Sequence, residues 1–141
     1  MRILGLDMGT KRIGVAVSDK LGLIAQALTT IKRDNTSEDL KSVCDLIREY
    51  DVQEVVVGYP KHLDGRPGEG VAAYTAFGEM IHQETGIPVV YWDERLSTVA
   101  AERALLEGDM RRRRRRQVID RVAACLILEN YLTWRRNREK E

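Results

Sequence analysis

Residues 2–19 read RILGLDMGTKRIGVAVSD, and this stretch decides the fold. Two short apolar runs, Ile3–Asp7 and Ile13–Ser18, flank a tight turn through Met8, Gly9, Thr10, Lys11 and Arg12. The pattern predicts two strands joined by that turn, with Gly9 supplying backbone freedom in it. Ile3-Leu4-Gly5-Leu6 shows no polar alternation, as expected of a central strand buried on both faces. The run ends in Asp7, whose carboxylate is costly to bury without a partner. An acid at the end of a central strand, ahead of a Gly-containing turn, points to a bound cation or a phosphate-bound metal.

Working outward, Leu23–Lys32 reads as a third strand, closed onto the second by the loop Asp19-Lys20-Leu21-Gly22. Asn35 or Thr36 then caps a helix, and Asn35-x-x-Glu38 resembles a capping box. Leu40, Val43, Cys44 and Ile47 give that helix one apolar face. Glu54–Gly58 is short, β-branched and bounded by Gly-Tyr-Pro, which predicts a buried parallel strand. Tyr59–Gly70 is a Gly- and Pro-rich loop, either a linker or a substrate-facing element. A second helix is expected from about Glu69 to Thr85, with Val71, Tyr74, Phe77, Gly78 and Ile81 inward. The strand Val89–Trp92 follows, ahead of Asp93-Glu94-Arg95. Ser97 or Thr98 then caps a helix running to about Glu107. After the arginine run, a last helix is expected from Gln117 to about Arg135. The order is β-β-β-α-β-α-β-α-α. It predicts an α/β fold with a mixed five-stranded sheet, three antiparallel strands then two parallel ones, and helices on both faces.

The chain has 141 residues, the size of one domain with a real core, so residues 1–141 are read as a single domain. Hydrophobic and charged fractions of 43% and 32% are those of a soluble globular protein. No apolar run approaches a membrane span, so no membrane partner is expected. The N-terminus enters a strand pattern directly and shows no secretory signal. Cys44 and Cys125 lie among apolar residues without CxxC spacing. They read as reduced core thiols of a cytoplasmic protein rather than a zinc site or a disulfide. The near-neutral net charge hides a split. Residues 111–141 hold 11 Lys+Arg against 4 Asp+Glu, whereas residues 1–110 hold 12 against 18. A basic end on an acidic body suggests a polyanionic partner, against the plainer reading of a solvated tail.

Three acidic positions share one logic. Asp7 ends the first strand, Asp93 and Glu94 end the last, and Asp120 is expected in the first turn of the last helix. Ligand sites of open α/β sheets lie outside the carboxyl ends of the strands. Small residues at Ala123 and Ala124 would let the last helix approach the sheet. Oxygen-only ligands of this kind suit Mg²⁺ or Mn²⁺, and such a centre can hydrolyse a phosphodiester. Each acid also has a plainer reading. Asp7 can pair with Lys11 or Arg12, Asp93 and Glu94 can pair with Arg95, and Asp120 can favour a helix N-terminus.

GLDMGTKRIGVAVSD (5–19), VVVGYPKHLDG (55–65), YWDERLST (91–98) and VIDRVAACLILENYL (118–132) together resemble the YqgF, or RuvX-like, family of pre-16S rRNA nucleases. The likeness spans nearly the whole chain, in order and with ordinary spacing. It implies an RNase H-like fold, similar to Holliday-junction resolvases. It also implies a divalent-metal nuclease acting in maturation of the small-subunit ribosomal RNA precursor. The family's acidic positions fall on Asp7, on the Asp93-Glu94 pair and on Asp120. In the reading that follows, Asp7, Glu94 and Asp120 hold Mg²⁺ or Mn²⁺ as catalytic and metal-binding residues, with Asp93 as the alternate ligand. The sequence departs from the family at KHLDGRPGEG and in the length of its arginine run.

Supporting residues are Thr10, Lys11 and Arg12 on the turn beside Asp7, and Arg95 beside the second acidic pair. Arg111, Arg112, Arg113, Arg114, Arg115 and Arg116 form a run that is mobile and solvated by default. Beside Asp120 it reads as a phosphate-backbone contact. The expected partner is structured RNA, or a DNA junction, bound by a monomer or a homodimer. Two other readings remain. LDMGTKRIG is also like the first phosphate loop of actin-like ATPases and sugar kinases, which need a second lobe that a chain this short lacks. A non-catalytic RNA-binding assembly factor would suit the basic end but not the acids.

Overall fold

The hairpin read from residues 2–19 forms as expected and organises the sheet. The computed structural model describes residues 1–9, 11–59, 71–93 and 112–139 and, within them, every side chain outside 71–73 and 112–120. Its strands are β1 (Arg2–Met8), β2 (Arg12–Ser18), β3 (Ala25–Lys32), β4 (Val52–Tyr59) and β5 (Val89–Asp93). Its helices are α1 (Thr36–Glu49), α2 (Val71–Thr85) and α3 (Arg112–Glu139). The strands form one sheet in the order β3-β2-β1-β4-β5. β1 pairs antiparallel with β2 and β2 with β3, whereas β1–β4 and β4–β5 are parallel. The predicted mixed sheet is therefore present.

β1 alternates between two cores. Leu4, Leu6 and Met8 join Val43 and Ile47 of α1 and Phe77 and Ile81 of α2. Ile3 belongs to the other face, with Ala123, Ala124, Ile127 and Leu128 of α3. Helices thus cover both faces, as a central parallel strand requires. The α3 face depends on strand positions without side chains. A Cβ on Gly5 would lie 2.9 Å from Leu128 Cβ and 3.2 Å from the Ala124 carbonyl, and one on Gly58 would collide with Ile127.

Several boundaries differ from the sequence reading. β3 begins at Ala25 rather than Leu23, because Asp19 Oδ1 accepts from the Leu23 and Ile24 N–H groups at 2.7 and 3.0 Å. These donors are thereby bent into an Asx-type turn. β4 is longer than expected at both ends. α3 starts at Arg112 rather than Gln117, so Arg112 to Arg116 are helical. Arginine is a good helix former, and intrinsic propensity outweighs the repulsion inferred from charge alone. The predicted cap of α1 is confirmed, with Asn35 Oδ1 accepting from Glu38 N at 2.9 Å. The loop expected over residues 60–70 and the helix expected over residues 97–107 lie outside the described residues.

Far from the strand ends, buried Glu54 accepts a hydrogen bond from the Tyr131 hydroxyl and meets Arg135 Nη1 at 3.4 Å. Burial raises the Tyr131 phenol well above its ordinary value, and Glu54 adds to the shift. Both cysteines are free, as expected. Burial, helped by Glu129, pushes the Cys125 thiol up to about 11.

Two outcomes follow from this packing. Gly5→Ala should lower the unfolding free energy by about 1–3 kcal/mol through overpacking against α3, read as a shifted urea midpoint at unchanged m-value. Alkaline pH should also destabilise the fold. Above pH 9 the unfolded chain releases the Cys125 proton and then the Tyr131 proton, while the folded chain retains both. The unfolded state then binds fewer protons, so stability falls as pH rises. Tyr131→Phe should flatten the decline above about pH 10.

Candidate active site

β1 delivers Asp7 to the carboxyl end of the sheet at 3% exposure. Its Cα partners are Gly14 on β2 and Gly58 on β4, so neither neighbouring strand places a side chain beside it. Beyond Gly58 the same row continues to Trp92, and beyond Gly14 to Thr30. Paired residues share a face, and Trp92 belongs to the core under α3. Asp7 therefore lies on the α3 face. Glycine inside a strand often marks a place where another backbone or a ligand comes close. Here two of them flank the buried acid.

The turn after Asp7 is held by atoms distant in sequence. Gly9 N donates to the Asp7 and Arg12 carbonyls at 3.1 and 3.0 Å. A Cβ on Gly9 would stand 2.6 Å from the Arg12 carbonyl, so close approach is the reason for glycine there. Arg33, at the end of β3, donates from Nη1 to the Gly9 carbonyl at 2.9 Å. Its Nε lies 3.6 Å from Asp39 Oδ2, while Asp39 Oδ1 accepts from Asp34 N at 3.0 Å. Asp39 is 3% exposed. The turn is thus tied to both β3 and α1. Sequence reasoning missed Arg33 and Asp39, because an acid in the first turn of a helix already has a sufficient local explanation.

Asp93 ends β5 with Tyr59 as its Cα partner, and Tyr91 packs against the core under α1 and α2. Strand alternation puts Asp93 on that face. Asp7 and Asp93 thus reach the same edge of the sheet, roughly 10 Å apart across β4 by two strand spacings, but on opposite faces. Asp120 is the ninth residue of α3 rather than part of its first turn, so the helix N-terminus does not account for it. Arg112 to Arg116 form the start of that helix. Lys11 is exposed and Arg12 half-buried, and neither is ion-paired among the described residues. Thr10, Glu94, Arg95 and Arg111 lie outside the described residues. Among the described residues, no three His, Cys, Asp or Glu side chains converge. Trp92 packs edge-on against Tyr131 and Trp134, with ring centroids 5.8 and 5.9 Å away. That is a core role rather than a base-stacking one.

The profile of the RuvX family, described as Holliday junction resolvase, matches residues 1–134. The chain belongs to the RuvX family. A Moorella thermoacetica protein named "Putative pre-16S rRNA nuclease" is 56% identical over 132 residues, covering 94% of each chain. Among solved structures, Thermus thermophilus RuvC in complex with Holliday junction substrate aligns at a TM-score of 0.59 and 15% identity, covering 96% of both chains. The likeness carries the fold, RNase H-like as the sequence implied. A ROK family protein from Streptococcus pneumoniae aligns at a TM-score of 0.51 and 17% identity, covering 76% of this chain and 38% of its own. That likeness covers part of a larger structure and shows the fold alone. As a RuvX protein the chain is a nuclease, and hence a hydrolase. No helix among the described residues is long and apolar enough to cross a membrane.

The Arg33 tie makes a stability statement. Arg33→Ala leaves the buried Asp39 carboxylate without its guanidinium. It should cost about 1–3 kcal/mol in urea unfolding, whereas the exposed Lys41→Ala on the same helix should stay within about 0.5 kcal/mol.

Proposed function

We propose that this RuvX protein hydrolyses phosphodiester bonds of the 16S ribosomal RNA precursor at a divalent-metal centre built on Asp7, Glu94 and Asp120. The observation that carries the reading is Asp7, a buried carboxylate at the end of the central strand, flanked by Gly14 and Gly58 on the face that α3 crosses. A hard carboxylate oxygen at such an edge suits Mg²⁺ or Mn²⁺. Asp93 belongs to the opposite face, which favours Glu94 from the acidic pair. Support for Asp120 comes from the crossing of α3 over β1. Gly5 meets the helix at Ala124 and Leu128, and along β4, parallel to β1, Glu54 meets Tyr131 and Arg135 whereas Gly58 meets Ile127, so helix and strands run antiparallel. Two residues onward along a strand, about 6.7 Å, match four residues back along a helix, about 6 Å. That step leads from Gly5 to Asp7, and from Ala124 to position 120.

Such a cation, when bound, supplies charge neutralisation at the phosphate and activates a water. The chain's own part is to hold the acids rigidly. The Arg33–Gly9 tie fixes the turn after Asp7, and Gly14 and Gly58 place no cross-strand side chain beside it. Five arginines at the start of α3 add a second argument. Positive charge at a helix N-terminus opposes the macrodipole, and like charges four apart repel. A polyanion removes both costs, which favours a nucleic acid partner over a solvated tail. The relatives' name supports precursor rRNA as substrate, and with it a cytoplasmic role. The family description and the RuvC fold favour a second reading, in which a homodimer cuts DNA junctions, since a resolvase must act on two strands.

Labelled precursor RNA and a four-way DNA junction, each with Mg²⁺, Mn²⁺ or EDTA, test both readings. Cleavage of the RNA should require the metal. Asp7→Asn and Glu94→Gln should each lose several kcal/mol of transition-state stabilisation, about a hundredfold or more in rate, while RNA affinity is kept. Asp93→Asn should have a much smaller effect. Symmetric cutting of the junction alone would select the resolvase, and metal-independent or absent cleavage of both would reject the metal-nuclease reading.

A further inference from the structure

The edge of the sheet that carries Asp7 also carries an unneutralised group of cations. Arg12 opens β2, Lys32 closes β3, and the two are direct Cα partners. Like charges opposite one another in a sheet are destabilising. Nothing among the described residues relieves the conflict, because none of Lys11, Arg12 and Lys32 has an ion pair there. Arg33 follows Lys32 but is engaged by Gly9 and Asp39. Lys11, Arg12, Lys32 and Arg33 line an open cleft of about 680 Å³ together with the carboxylates Asp34 and Asp39. Asp39 is already paired, and Asp34 is exposed.

Register relates this cleft to Asp7. Asp7 pairs with Gly14 and Gly14 with Thr30, so Asp7, Gly14 and Thr30 form one row on one face of the sheet. Arg12 and Lys32 form the next row on the same face, because alternate residues of a strand share a face. Two strand spacings separate Lys32 from β1, or about 10 Å. At a rise of about 3.4 Å per nucleotide, that is some three steps along a nucleic acid strand.

We infer that Lys11, Arg12 and Lys32 form a phosphate-backbone subsite that holds the nucleic acid about three nucleotides from the bond cut at Asp7. The inference rests on the nuclease reading above and adds to it Lys32 and the path of the strand. The subsite reads charge, not sequence, since backbone contacts carry no base information. An anion that bridges Arg12 and Lys32 relieves their cross-strand conflict.

Binding measured in an Asp7→Asn background, where nothing is cut, tests it. The probes are a labelled 16S precursor RNA segment and a four-way DNA junction, titrated between 50 and 200 mM salt. Arg12→Ala/Lys32→Ala should weaken binding about tenfold or more. It should also reduce the slope of log affinity against log salt by about 1.5, with Lys32→Gln alone giving roughly half of that change. Lys20→Ala, which removes one charge as Lys32→Gln does but in the loop before β3, should change neither. The free Lys32→Gln protein should melt no lower than its parent, because it removes a like-charge pair. Retained binding with slopes equal to those of Lys20→Ala would overturn the subsite and leave the nuclease reading standing. Failure of the parent to bind either probe at 50 mM salt would overturn both. The arm with the larger slope change identifies RNA or DNA as the polymer held there.

Discussion

The approach of α3 to the sheet is the constraint on which the rest depends. Gly5 and Gly58 let Leu128, Ala124 and Ile127 reach the backbone of β1 and β4. A side chain at either position would lift the helix from one end of its contact and tilt it against the other. The α3 core would then lose density around Ile3, Val56 and Trp92, which pack with α3 in that core. Asp7 stands one step beyond Gly5 on the same face. The contact that builds the core therefore also decides which part of α3 reaches the acid.

A second constraint concerns the loose end of the central strand. Strand ends fray unless their backbone groups find partners, and a carboxylate on a moving end cannot keep ligand geometry. The turn after Asp7 is closed by Gly9 and anchored by Arg33, which is braced by a buried carboxylate on α1. Arg33 serves here as an arginine can and a lysine cannot, with one edge of the guanidinium on a carbonyl and the other toward Asp39. Rigidity is thus imported from β3 and α1, elements that contribute no acid to the proposed centre.

This division explains what the sequence revealed. The strands of the first hairpin, the cap at Asn35 and the apolar face of α1 are local patterns, and all were legible. The start of β3 was not, because one side-chain oxygen of Asp19 captures two backbone donors that the apolar Leu23 and Ile24 suggested for a strand. The start of α3 was misread for a different reason. A run of like charge says little about backbone preference, and arginine's propensity for the helix decided it. Within the candidate site, Asp7 was legible as an acid ending an apolar run. The face of Asp93 required the register of β5, and the Arg12–Lys32 pairing required that of β2 and β3, which contains an irregularity between Val15 and Ala16. Arg33 with Asp39 was invisible, since its partners are brought together only by the fold.

Charge of both signs on one edge is the last consequence. A buried carboxylate attracts a cation and repels a phosphate, so the acids alone would turn their substrate away. Cations in the same pocket would instead neutralise the acids and displace the metal. Setting the two signs on adjacent rows of one face, about 8 Å apart for Arg12 and about 12 Å for Lys32 by strand spacing and rise, avoids both outcomes. Those distances are about one Debye length at physiological salt. Arg12 and Lys32 can therefore attract a phosphate backbone from outside the row that holds Asp7. Glycine at position 14 puts no side chain beside Asp7 within its own row.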